Sequence, residues 1–357
     1  MTVKMPVVGR LGFRDRRVRL CPLAAVVLTA VLSAQGTWTA QPSGVTARLR
    51  GVSAADESVV WASGARGTVL RSTDAGATWA RLTVPGAERL DFRDVDAVSA
   101  TTAYLLSIGN GDASRIYKTT DAGATWALQF TSTDPDAFFD AMAFWNADAG
   151  VAVSDSVRGQ FVVRITLNGG RDWTLVPADR LPPALDNEGY FAASGTNVAV
   201  WGQDHVWLGT GAATRARVLR STDRGATWQI ADTPLAAGPT SGIYSIAFRD
   251  ARHGIVVGGD YAKEQAAVDN VAVTSDGGAT WTLVTGLSGF RSVVAPVPGT
   301  PAAWLAVGPT GSDVSHDDGR TWMPAGGPGY DTFSFAPGRA LGWAAGAGGR
   351  VGLYRSR

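Results

Sequence analysis

The chain has 357 residues, with 32 Lys plus Arg against 31 Asp plus Glu, one Cys, 44 Gly and 13 Trp. The balanced charge excludes a nucleic-acid binder that draws its affinity from neutralising phosphates. A single Cys excludes an internal disulfide framework and a Cys-rich zinc site.

Residues 1 to 20 carry Lys4, Arg10, Arg14, Arg16, Arg17 and Arg19 against one acid, Asp15. An apolar run follows from Cys21 to Ala34. A basic segment, a short apolar stretch and a small residue at its end read as a secretory signal. The run falls short of the about 20 residues a membrane span needs, so a retained anchor is the lesser alternative. Arg16-Arg17 has partial twin-arginine character, with Arg19 standing where such signals carry an apolar residue. Residues 1–34 are thus expected to be a signal peptide cleaved near Ala34. Residues 35–357 are expected to be one periplasmic or secreted domain with no stable membrane span. Cleavage after Ala40 is the competing position, with small residues before it.

The rest of the chain is built on one repeat. Six segments align without gaps: 72–79 (STDAGATW), 119–126 (TTDAGATW), 166–173 (TLNGGRDW), 221–228 (STDRGATW), 274–281 (TSDGGATW) and 315–322 (SHDDGRTW). The spacing between successive Trp residues is 47, 47, 55, 53 and 41 residues. Four short strands with their turns fill that period, the size of a propeller blade. Apolar alternation leads into each box, as in Val69-Leu70-Arg71-Ser72, and reads as a strand. The Asp at the third position can fold back onto backbone N–H groups. The Gly at the fifth accepts positive φ. The closing Trp starts the next strand and offers a large ring for burial. Asp74, Trp79, Asp121, Trp126, Trp173, Asp223, Trp228, Asp276, Trp281, Asp317 and Trp322 are therefore assigned structural roles in hairpins between third and fourth strands.

After Trp322, residues 332–335, 341–346 and 350–354 supply three more strands, and a fourth is missing. An open edge there would be unpaired. Residues 36–41 (GTWTAQ) resemble residues 124–129 (ATWALQ). Thr37–Gln41 is therefore expected to be the outer strand of the last blade, closing the ring. The predicted fold is an all-β, seven-bladed propeller with four antiparallel strands per blade.

The boxes resemble the BNR, or Asp-box, repeat, and the chain is similar to the photosystem II stability and assembly factor family. That resemblance implies an exported seven-bladed propeller that binds or helps assemble other proteins. It does not by itself carry over a photosystem partner. Asp-boxes also occur in sialidases, other glycoside hydrolases and sortilin-type receptors, so the site has to decide the function.

In propellers of this type the boxes face away from the ligand-binding mouth. Aligned first strands place Arg48, Asp94, Asp140, Tyr244, Arg291 and Asp331 near that mouth. Loops between second and third strands add Asp112, Arg115, Asp155, Arg158, Asp260 and Tyr261. Interfaces favour Arg and aromatic anchors. A protein partner is therefore expected to bind at Arg48, Arg93, Arg115, Arg291, Tyr244 and Tyr261.

The alternative is a glycoside hydrolase using Asp94, Asp140, Glu188 and Tyr244. The Phe-Arg-Ile-Pro signature of sialidases is absent; Phe92-Arg-Asp-Val is the nearest stretch. An oxidoreductase is the third reading, but residues 346–352 (GAGGRVG) fail the dinucleotide-loop spacing. No residue pattern singles out a cofactor or a metal, since His205, His253 and His316 lie in different blades. A monomer is expected. Long inserts at 177–195 and 260–270 are expected to shape the binding face.

Overall fold

The computed structural model describes residues 36–356, together with 1–3, 5 and 9. The expected signal peptide and its cleavage point at Ala34 lie outside the described residues, apart from those few. Residues 36–356 fall within one compact unit. No helix among the described residues is long and apolar enough to cross a membrane.

The described strands form seven four-stranded antiparallel sheets. Blade 1 comprises Leu49–Ala54, Val60–Gly64, Thr68–Ser72 and Ala80–Leu82. Blade 2 comprises Asp91–Ala97, Ala103–Ile108, Arg115–Thr119 and Ala127–Thr131. Blade 3 comprises Phe139–Phe144, Gly150–Val157, Gln160–Thr166 and Thr174–Leu175. Blade 4 comprises Val198–Trp201, His205–Gly209, Arg217–Ser221 and Gln229–Asp232. Blade 5 comprises Ser241–Phe248, Gly254–Asp260, Val271–Thr274 and Thr282–Val284. Blade 6 comprises Val293–Pro296, Trp304–Gly308, Gly311–Ser315 and Met323–Gly326. Blade 7 joins Thr332–Phe335, Leu341–Ala345 and Val351–Arg355 to Thr37–Gln41.

The closing strand is where the sequence placed it. Trp38 pairs with Tyr354, and Gln41 with Val351. The Trp38 ring lies 4.9 Å from Tyr330, 4.9 Å from Tyr354 and 5.9 Å from Phe333. An N-terminal strand thus removes the open edge of the last blade.

Each box is a closed hydrogen-bond circuit. Ser72 Oγ donates to Asp74 Oδ1 at 2.8 Å and accepts from the Gly76 N–H at 2.8 Å. Asp74 accepts from the Thr78 N–H and hydroxyl at 2.8 and 2.6 Å. Positive φ is needed twice, at Ala75 (+58°) and at Gly76 (+84°). The third box departs in sequence and keeps the circuit: Asn168 Nδ2 donates to Asp172 Oδ2 at 2.7 Å, reversing donor and acceptor. The box Trp residues wedge between neighbouring blades. Trp126 meets Trp61 of blade 1 edge-on at 6.1 Å, and Trp281 packs with Trp207 and Phe248.

The innermost strands are stitched together by side chains that bond the next blade's backbone. Ser334 Oγ accepts from Ala54, Ser53 Oγ from Ala97 and Ser245 Oγ from Val294. Between blades 2 and 3, Asp94 accepts from Met142 at 2.8 Å and Asp96 from Phe144 at 2.9 Å.

Candidate functional site

The first strand of each blade starts on the face opposite the boxes, so that face carries the loops between blades. A cavity of about 470 Å³ opens there, around the propeller axis. Its floor is the lead-in to blade 4, residues 189–196, which crosses the channel and bonds to each of the other six blades. Ala193 O accepts from Arg50 Nη1 (3.4 Å, blade 1), and Ala192 O from Arg93 Nη1 (2.8 Å, blade 2). The Tyr190 N–H donates to Asp155 Oδ1 (2.8 Å, blade 3). Thr196 Oγ1 donates to Ser245 Oγ (2.8 Å, blade 5), and Ser194 Oγ to Ser292 O (2.8 Å, at the start of blade 6). Thr332 Oγ1 of blade 7 donates to Ser194 O (3.2 Å). Gly195 adopts φ +76°, and a Cβ there would overlap the Asp94 carboxylate. The plug closes the channel. Ala192 and Ala193 line the mouth, and Thr196 lines an apolar recess of about 370 Å³ on the other side.

The mouth has two unlike walls. Blades 1 and 2 contribute Arg48, Arg50 and Arg93. Arg48 forks onto Asp331, with Nε–Oδ2 at 2.7 Å and Nη2–Oδ1 at 2.8 Å. Arg93 Nε donates to Asp91 at 2.9 Å. Burial lowers the Arg50 pKa to about 10; Asp331 opposes the shift, while Arg93 and Arg48 add to it. Arg50 therefore stays charged at neutral pH. Blades 5 and 6 contribute Tyr244, Tyr261 and Phe290, joined by Phe191 of the plug. Phe191 stacks on Tyr244 at 4.0 Å and 5° between planes. Tyr261 stands edge-on to both, at 6.4 and 6.3 Å.

Two acids line the cavity beside the plug. Burial raises Asp140 well above the usual carboxylate range, and Asp155 adds to the effect; backbone N–H groups and Arg93 oppose it. Burial pushes Asp155 up to about 6, against the Tyr190 N–H. Asp140 Oδ2 is buried with no hydrogen-bond partner among the described residues.

The structure brings Arg48, Arg93, Tyr244, Tyr261 and Asp140 together in the mouth. Other sequence-selected residues serve the framework, which corrects the expectation that they face a partner or substrate. Arg291 is 1% exposed and bonds Asp313, Phe290 O, Thr310 and Ser288. Glu188 is buried in a fork with Arg217 and also accepts from Thr210 Oγ1 at 2.6 Å. Asp94 joins blade 2 to blade 3; Tyr244, although in the mouth wall, has its hydroxyl tied to Thr240 O at 2.9 Å. Arg115 bonds Asp112 at the outer rim and does not line the cavity. Arg158 pairs with Asp134 and Asp136.

Sequence reasoning missed Arg50 and Phe191. Arg50 had no clean parity signal, because a register shift between Leu49 and Gly51 breaks the alternation there. Phe191 had no periodic signal, since it lies in an irregular insert.

The fold has solved counterparts. The chain is similar to YCF48 bound to D1 peptide (TM-score 0.64, 17% identity, covering 90% of this chain and 97% of that one). It is also similar to YCF48 from Cyanidioschyzon merolae (TM-score 0.63, 17% identity, 89% and 98% covered). A third likeness is the GH74 enzyme of Niastella koreensis (TM-score 0.60, 16% identity), of which this chain spans 53% and which covers 88% of this chain. These likenesses establish the seven-bladed propeller. No family model matches the chain, and no curated protein does.

Proposed function

We propose that this is an exported, non-catalytic propeller that captures a protein partner through its mouth. The observation that carries the reading is the convergence of Arg48, Arg50 and Arg93 on one wall of a plugged cavity. Arginine forks on an exposed rim are suited to carboxylates and peptide carbonyls. A closed floor makes the mouth a docking surface rather than a conduit. The YCF48 structure of the same fold is described with a bound D1 peptide, which supports a peptide-binding role for this propeller. Export is supported by the basic and apolar run of residues 1–34.

The hydrolase reading draws support from the GH74 likeness. Of its four candidate residues, Asp94, Glu188 and Tyr244 are tied into framework bonds. The deciding experiment compares the wild-type chain with an Arg48→Ala/Arg93→Ala variant. Partner recovery from host extract and turnover of an aryl-glycoside panel are both measured. The reading expects partner loss in the variant, assayed well below its own melting temperature because both arginines also tie the framework, with no turnover by either protein. Equal recovery, or turnover abolished by Asp140→Asn, contradicts it.

A further inference from the structure

The plug puts the chain's own backbone and one ring against both walls of this mouth. Residues 191–193 lie in it as a tight turn, with the Ala193 N–H donating to Phe191 O at 2.7 Å. The carbonyls of Ala192 and Ala193 accept from Arg93 and Arg50, while the Phe191 ring seats on Tyr244. One residue offers its ring to the aromatic wall, and the next two offer backbone oxygens to the arginine wall.

That arrangement leaves a second seat open. Tyr244 is 2% exposed and already covered, whereas Tyr261 is 51% exposed at the cavity rim. It is also the exception among the tyrosines: Tyr104, Tyr117, Tyr190, Tyr330 and Tyr354 are all buried. Tyr261 meets Phe191 at 76°, so the two rings form a right-angled corner facing the mouth. A half-exposed tyrosine on the rim of a cavity is the kind of group that anchors interfaces. Edge-to-face completion by a third ring is the favoured way to fill such a corner. Across the cavity, Arg48 keeps its side chain 45% exposed although it is paired with Asp331.

We propose that the mouth recognises a peptide segment carrying an aromatic side chain together with an acidic group, the ring seating in the Phe191–Tyr261 corner and the acid reaching the Arg48 wall. This deepens the proposed function and rests on it. The occupant is a peptide rather than a sugar because the plug already shows backbone carbonyls on arginine donors and a phenyl ring on the aromatic wall.

The test uses fluorescein-labelled acidic peptides carrying one Phe, in both chain directions, and their Phe→Ala counterparts. Each is titrated by anisotropy against wild type, Tyr261→Ala, Tyr261→Phe and Arg48→Ala/Arg93→Ala, with melting temperatures as a folding control. Wild type should bind the Phe peptides about tenfold more tightly than the Ala peptides. That preference should vanish in Tyr261→Ala and persist in Tyr261→Phe. The arginine variant should weaken both peptide sets. Arginine-dependent binding that is indifferent to Phe overturns the corner and leaves the proposed function standing. Absence of binding by every acidic peptide overturns both. Tyr261-dependent binding of a xyloglucan oligosaccharide, with no Phe preference, overturns the peptide assignment.

Discussion

Arg93 Nη1 donates to the carbonyl of Ala192 at 2.8 Å, linking the inner strand of blade 2 to a segment 99 residues further along the chain. The same guanidinium donates through Nε to Asp91 at 2.9 Å. One side chain therefore belongs both to the wall of the mouth and to the clasp on its floor. Floor and wall are coupled, which shapes how each is expected to respond to substitution.

The plug should be intolerant at Gly195. Its φ of +76° disfavours any side chain, and the Cβ would also overlap Asp94. Gly195→Ala should cost at least about 2 kcal/mol in urea unfolding, from the positive φ plus the overlap. Gly86→Ala has the same sign of φ in open space and should cost less. Equal losses at both positions would show that the plug does not press on Asp94.

Ring closure depends on Trp38. Its ring packs against Tyr330, Phe333 and Tyr354, so Trp38→Ala should cost about 3 kcal/mol. N-terminal sequencing of the protein recovered from its host should give a start before Thr37. A start at Gln41 would mean that the closing strand is absent from the working protein.

Much of this architecture was legible in advance because the box writes its own turn. Ser/Thr, Asp, Gly and Trp each answer to a separate local need, and the six copies fix the blade period. The closing strand was legible because Trp38 repeats the end of a box. The plug was not. Residues 189–196 carry no periodicity, and their partners are scattered over six blades. Acids such as Asp94 and Glu188 look alike in sequence whether they face a ligand or tie a framework. Arg291 likewise turns inward only because Asp313, on the third strand of its own blade, is there to receive it.

Stability should peak on the acid side of neutrality. Asp155 has its folded-state pKa raised from 3.8 to about 6. The folded state therefore holds a proton that the unfolded chain has released. That contribution is complete below about 3.8 and is lost as pH rises through about 6. The boxes act oppositely. The Thr125 hydroxyl and N–H hold Asp121 down at about 2, so its contribution is present above 3.8 and is lost as pH falls towards 2. The melting temperature should thus fall between pH 4 and 6, and fall again below pH 3. Asp155→Asn keeps an oxygen for the Tyr190 N–H and should make the upper limb shallower, with Asp96, also pushed up to about 6 by burial, and Asp140 carrying the rest. An unchanged slope in that variant would remove Asp155 as its source.

The third box should obey its reversed polarity. Asn168→Asp alone places two carboxylates together at Asp172 and should destabilise the hairpin by about 1 kcal/mol, while Asn168→Asp with Asp172→Thr restores the common circuit and should recover the loss. Simple additivity in thermal denaturation would show that the pair does not act as a unit.

The most direct test of a peptide-capturing mouth is hydrogen–deuterium exchange of the full propeller with and without a saturating acidic, Phe-bearing peptide. The mouth reading predicts added protection in residues 189–196 and 260–264, with the box turns unchanged. Protection confined to the box face, or none at the mouth under saturation, would contradict it.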